Sequence, residues 1–129
     1  MKHPNAEELL AGILARDPRY AIDAYAFVRI GLDHTVRRLE KPRHVSGREL
    51  LDGIREFALS EFGPMTKTVL NGWGIKRTED IGEIVFNMVE TGLLGKTEKD
   101  SRSDFANGYD FDEAFRNPFR PAAIPRAGS

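Results

Sequence analysis

Apolar residues recur at steps of three and four through most of the chain, the spacing of amphipathic helices packed around a shared core. Between Ala6 and Arg16, Leu9, Leu10, Ile13 and Leu14 share one side. Asp17-Pro18 then reads as an N-cap followed by proline at the first position of a second, longest helix. Its stripe is Ala21, Ala24, Tyr25, Val28, Leu32, Val36 and Leu39, with Arg29, Asp33, Arg37 and Arg38 on the wet side, and Pro42 stops it. Ser46-Gly47-Arg48-Glu49 has the serine–glutamate spacing of a capping box and opens a third helix reaching Phe62, with Leu50, Leu51, Ile54, Phe57, Ala58 and Phe62 as its apolar face. Gly63-Pro64 ends that helix and starts a short fourth one from Pro64 to Asn71.

Gly72-Trp73-Gly74-Ile75 predicts a corner anchored by a ring, since two glycines weaken a helix interior. Thr78 is the expected cap of a fifth helix, whose apolar positions are Ile81, Ile84, Val85, Met88 and Val89 and whose end is Gly92. Glu79 and Asp80 in its first turn complement the helix dipole. The period then changes. Leu93 to Thr97 and the alternating Tyr109-Asp110-Phe111 predict a small two-stranded hairpin. From Asn117 the chain holds Pro118, Pro121 and Pro125 without periodicity, which predicts an extended or disordered tail over 117–129 beyond a single helical domain over 1–116.

The expected fold class is therefore mainly α, with about five helices and a C-terminal hairpin. Helices three to five followed by a hairpin is the element order of a winged-helix domain; a plain helical bundle with a C-terminal arm fits the same pattern. In the winged-helix reading, helix five would occupy the recognition position and present Glu79, Asp80, Glu83, Asn87 and Glu90. No Lys or Arg lies between Thr78 and Glu90, whereas a major-groove helix needs cations and donors for phosphates and base edges.

Composition narrows the chemistry further. The 129 residues carry a net charge of -1, which gives no global attraction to nucleic acid or anionic membrane. No run of about 18 apolar residues is present to span a bilayer, and Met1-Lys2-His3-Pro4-Asn5 leads into an amphipathic pattern, so a cytoplasmic protein without membrane contact is expected. The absence of cysteine excludes a disulfide framework, a thiolate zinc site and a cysteine nucleophile.

Linked motifs carry a resemblance: Phe62-Gly63-Pro64-Met65, Trp73-Gly74-Ile75, the run Thr78 to Phe86, Asp100 to Phe105, and Tyr109-Asp110-Phe111. Together, from Tyr20 to Phe115, they resemble a conserved hypothetical bacterial family found mainly in planctomycetes and verrucomicrobia. The resemblance implies a bacterial, cytoplasmic protein and transfers no activity, cofactor or catalytic residue.

Individual constellations are weak. Gly92-Leu93-Leu94-Gly95-Lys96-Thr97 lacks the glycine spacing of a phosphate loop, which would require glycine at Glu90. Asp100, Asp104, Asp110, Asp112 and Glu113 do not have the offsets of a calcium loop, and no histidine pair has helical ligand spacing. No metal or cofactor is expected. His44, before the capping box, is a candidate general base with Glu49 or Asp80, against the alternative of a histidine hydrogen-bonded to a helix start. Arg37, Arg38, Lys41, Arg43 and Arg48 form the one local basic cluster. Phe105, Tyr109, Phe111, Phe115 and Phe119, interleaved in a polar segment, should pin that segment across an apolar surface of this chain or of a partner. The leading expectation is a non-enzymatic interaction module that binds another protein or itself. Candidate contact residues are Arg37, Arg38, Arg43, His44, Arg48, Glu79, Asp80, Glu83, Phe105, Tyr109 and Phe111. The alternatives are nucleic-acid binding through the Arg37–Arg48 cluster and the hairpin, and a small enzyme built on His44, Asp80, Glu83 or Asp104.

Overall fold

A computed structural model describes residues 5–41, 43, 45–94 and 102–119. The chain is mainly helical: α1 spans Ala6–Arg16, α2 Ile22–Arg37, α3 Gly47–Phe62, α4 Thr66–Gly72 and α5 Thr78–Thr91. Ile13, Val28, Ile54, Leu70, Ile81 and Ile84, one or more from each helix, meet in the common core without solvent exposure. The three- and four-residue periodicity thus delivers each helix to the same centre. No described helix is long and apolar enough to cross a membrane.

Close crossing of α2 and α3 depends on two glycines. A Cβ on Gly31 would stand 2.8 Å from Cγ1 of Ile54, and one on Gly53 would stand 1.8 Å from Oγ1 of Thr35. Thr35 turns its hydroxyl back to donate to the Gly31 carbonyl at 2.8 Å, so its polar atom is satisfied inside the contact.

Several helix ends match the expected chemistry. Asn5 caps α1 by accepting from the Glu8 amide at 2.8 Å. At α3, the Glu49 amide donates to Ser46 Oγ at 3.2 Å and the Ser46 amide to Glu49 Oε1 at 3.1 Å, completing the capping box. Gly92 ends α5 in the left-handed region with φ 87°. Gly74 has φ 93°, and any Cβ there would lie 2.3 Å from the Arg19 carbonyl, so the corner needs glycine twice over. The Ala21 amide donates to the Trp73 carbonyl at 3.0 Å across this corner. The Trp73 ring is only half-buried.

Other ends correct the sequence reading. Asp17 closes α1 and does not start α2, whose N-cap is Ala21. Thr78 is the first residue inside α5, not its cap. Asp80 instead satisfies the helix start, accepting from the amides of Lys76 at 2.9 Å and Arg77 at 3.2 Å. That frees Thr78 to dock the C-terminal arm: its buried hydroxyl donates to the Phe105 carbonyl at 2.6 Å and accepts from the Gly108 amide at 3.0 Å.

The predicted hairpin is the largest correction. Among the described residues there is no strand. Leu93 and Leu94 form a bend, and the rest of the predicted first strand lies outside the described residues. Tyr109 and Asp110 are irregular, and Phe111, already at helical angles (φ -66°, ψ -31°), leads into a single π-helical turn, Asp112–Arg116. Alternation at Tyr109 and Phe111 sends both rings inward, where they stack on each other at 6.1 Å and edge-on to Phe115 at 5.8 and 4.9 Å. With no second strand paired to it, this element supplies no wing. The tail expected from Asn117 begins instead as a 3₁₀ turn over Asn117–Phe119, and 120–129 lie outside the described residues.

Candidate functional site

The structure scatters the sequence candidates and occupies most of them within the chain. In the basic cluster, Arg38 pairs with Glu56, and Arg43 grips the Glu49 carboxylate through two nitrogens at 2.9 and 2.6 Å. Arg48 donates to the Ala106 carbonyl at 3.1 Å, which leaves Arg37 and Lys41 exposed beyond these contacts. With Arg38 and Arg43 paired to carboxylates, the cluster has less charge to offer a phosphate backbone than its count of cations suggests. His44 lies outside the described residues.

The acidic face of α5 is equally committed. Asp80 accepts from the Tyr20 hydroxyl at 2.6 Å in addition to its two backbone amides. Glu79 accepts from the Asn107 amide at 3.2 Å. Glu83 is half-buried and adds negative charge near Arg19. Asn87, expected outside, is buried and donates to the Tyr25 hydroxyl at 3.1 Å and to Asp17 at 2.9 Å. Asp104 lies against the first turn of α3, beside Gly47. Asp80 thus caps α5, while Asp104 lies at the start of α3. No described group of three or more His, Asp or Glu residues is arranged to hold a metal.

Phe105, Tyr109 and Phe111 belong to the core of their own chain. Phe105 is 2% exposed, seated over Gly47 and Gly82 and edge-on to Phe86 at 6.1 Å. Tyr109 donates its hydroxyl to the Leu51 carbonyl at 2.9 Å. Burial raises the pKa of this phenol above its ordinary value. The surface that these aromatics pin is thus formed by α3 and α5 of the same molecule.

Two shallow clefts adjoin at Lys76 and Arg77. One, of about 580 Å³, sets these cations and Lys67 opposite Asp110, Asp112 and Glu113; the other, of about 530 Å³, is lined by Arg19, Tyr20, Gly74 and Asp80. Lys67 is paired with Asp112 and Arg19 with Asp17, so these cations are held by carboxylates of their own chain.

Asp17 shows how this charge serves the fold. Arg19 donates to it at 2.8 and 2.7 Å and Asn87 at 2.9 Å, and together they hold its carboxyl well below the usual carboxylate range. Glu49, held by Arg43 and by the Ser46 amide, is depressed to about 2, and Asp112 is lowered by Lys67. A depressed pKa means that the folded state prefers the charged form. The stabilisation is complete above the unfolded value of about 4 and is lost as pH falls through the folded one. Denaturation midpoints should fall on acidification below about pH 4. Asp17→Asn should flatten that dependence, and equal acid slopes for variant and wild type would contradict the assignment.

Some of the surface open to solvent is apolar. Phe27, at the base, is surrounded by the half-buried rings of Phe57, Phe62 and Trp73 at 5.5, 5.7 and 5.6 Å. His34 extends the stack, its ring 5.3 Å from Phe57. One turn along α2 from Phe27, Ile30 is 52% exposed, and Ile22 at the start of the helix is 50% exposed. Met65, just past Phe62, is 56% exposed. These residues lay outside the predicted stripes or were expected to be buried; the signal for them was the surplus of apolar residues on α2 beyond one stripe. None of the family models, curated proteins or solved structures compared with the chain matches it.

Proposed function

We propose that this chain is a non-enzymatic interaction module that docks through the outer face of α2 and the adjoining aromatic rim. The observation that carries the reading is the exposure of Ile22, Ile30 and Met65 beside the half-buried rings of Phe57, Phe62 and Trp73. A single exposed isoleucine is ordinary, but large aliphatic residues bordering an aromatic rim are the usual composition of a contact surface. The module is read as cytoplasmic and bacterial, following the motif resemblance. Nucleic-acid binding has less support, because Arg38, Arg43 and Arg48 are engaged internally and α5 is acidic where it would have to be basic.

The direct test is Ile30→Asp, which places a carboxylate in the apolar stripe at a position already half in solvent. Wild-type chain immobilised in host extract should retain a protein, or further copies of itself, that the variant does not. Retention that is independent of Ile30 would contradict the reading.

A further inference from the structure

We infer that α1 is a hinged lid: it leaves α5 and unwinds as a unit, pivoting at Asp17, while the rest of the chain stays folded.

The hold on α1 is slight. Ile13 is its one fully buried residue, with Leu9, Leu10 and Leu14 half-buried, whereas α2 and α3 each bury six residues and α5 seven. α1 packs chiefly on α5. Among the described residues no hydrogen bond joins Ala6–Arg16 to another helix, and the one ion pair, Arg16 to Glu90 at 3.7 Å, lies between exposed side chains. Such a pair contributes little. Eleven residues are also too few for a helix to persist alone in water, so leaving α5 and unwinding are one event.

Gly12 weakens the helix further, and packing does not ask for it. It sits exposed in the middle of α1, where a Cβ would meet nothing within 4 Å, unlike Gly31, Gly53 and Gly82, whose neighbours leave no room. Relative to alanine, glycine in a helix interior favours the unwound state about fivefold.

One step beyond α1 the chain is clamped. The Asp17 carboxylate accepts from Arg19 and from Asn87 of α5. Tyr20 is buried and donates its hydroxyl to Asp80 at 2.6 Å, and the Ala21 amide donates to the Trp73 carbonyl at 3.0 Å. Pro18, its φ fixed by the ring, stiffens the link between these anchors. A weakly held helix followed at once by a firm anchor is a segment that opens well below the cost of global unfolding, without carrying the core with it.

The chain has no cysteine, so a single introduced thiol reports opening at a chosen site. Ile13→Cys and Ile54→Cys, each alone in the full chain, probe fully buried positions of α1 and α3. A water-soluble thiol reagent should modify residue 13 on the order of 100-fold faster than residue 54, or more. Adding Gly12→Ala should slow the reaction at residue 13 about fivefold. Because Ile13→Cys itself loosens α1, the wild-type chain supplies a second reading. Its hydrogen exchange at the amides from Leu9, which donates to the Asn5 carbonyl, to Asp17, which donates to that of Ile13, should share one rate, well above that of the buried turns of α3. Equal labelling at the two sites, or a rate at residue 13 unmoved by Gly12→Ala, overturns the inference. So does wild-type exchange that slows steadily from Leu9 to Asp17, as simple end fraying requires, or that matches α3.

Discussion

Phe105→Ala is expected to destabilise the protein by about 3–5 kcal/mol, a large share of the roughly 5–15 kcal/mol that holds a domain folded. Phe105 is 2% exposed, and its ring fills the space created by two glycines that admit no Cβ: one at Gly82 would stand 2.7 Å from its Cγ, and one at Gly47 3.1 Å from its Cε2 and Cζ. Such a close fit cannot collapse when the ring is removed, so the cavity cost adds to the lost burial. The loss should be felt first in the arm. The Phe105 carbonyl and the Gly108 amide both bond the Thr78 hydroxyl, and the Asn107 amide bonds Glu79. Hydrogen exchange at Asn107 and Gly108 should accelerate before the helices respond, and urea denaturation should show an early midpoint. A shift below about 1 kcal/mol would mean that the arm is a passive covering and not part of the core.

Gly53→Ala should be the second large effect, with a sign opposite to helix propensity. On an exposed helix this exchange stabilises by about 0.5–1 kcal/mol. At Gly53 the new methyl would stand 1.8 Å from Oγ1 and 2.8 Å from Cβ of Thr35, so α3 must move away from α2 along their shared seam. The expected cost is about 1–3 kcal/mol. Gly12→Ala, where nothing lies within 4 Å of the new Cβ, should stabilise in the same assay. Adding Thr35→Ala should recover part of the Gly53→Ala loss by removing the nearest atom, though the Cβ of residue 35 remains. No recovery would show that the obstacle lies elsewhere.

The helices were legible because one property, the three- to four-residue recurrence of apolar side chains, decides both their existence and their buried face. Leu50, Leu51, Ile54 and Ala58 are buried as their spacing requires, and Ile81, Ile84 and Met88 likewise. Features that depend on distant partners were not legible. Asp17-Pro18 looks like a helix start in isolation, but Arg19 and Asn87 claim the carboxylate and turn the chain first. Alternation at Tyr109 and Phe111 reads equally as a strand or as an irregular anchor, and only the packing of Tyr109 on α3 decides. The basic cluster was visible as a count of arginines; the pairing of Arg38 with Glu56 and of Arg43 with Glu49, and the bond from Arg48 to the Ala106 carbonyl, need the folded chain. The outer face of α2 was hidden for a related reason. Ile22 and Ile30 are unremarkable in sequence until the core is assembled without them.

Trp73 offers the most direct view of that surface, since it is the single tryptophan of the chain and sits half-buried in the aromatic rim. Its quenching by acrylamide should be measured for wild type and for Ile30→Asp, each alone and with the partner that immobilised wild-type chain retains. The account predicts that the partner weakens quenching of the wild type, because it covers the rim, while the variant is quenched equally with and without it. Quenching of the wild type that the partner leaves unchanged, or a variant that becomes protected just as the wild type does, would contradict docking through the outer face of α2.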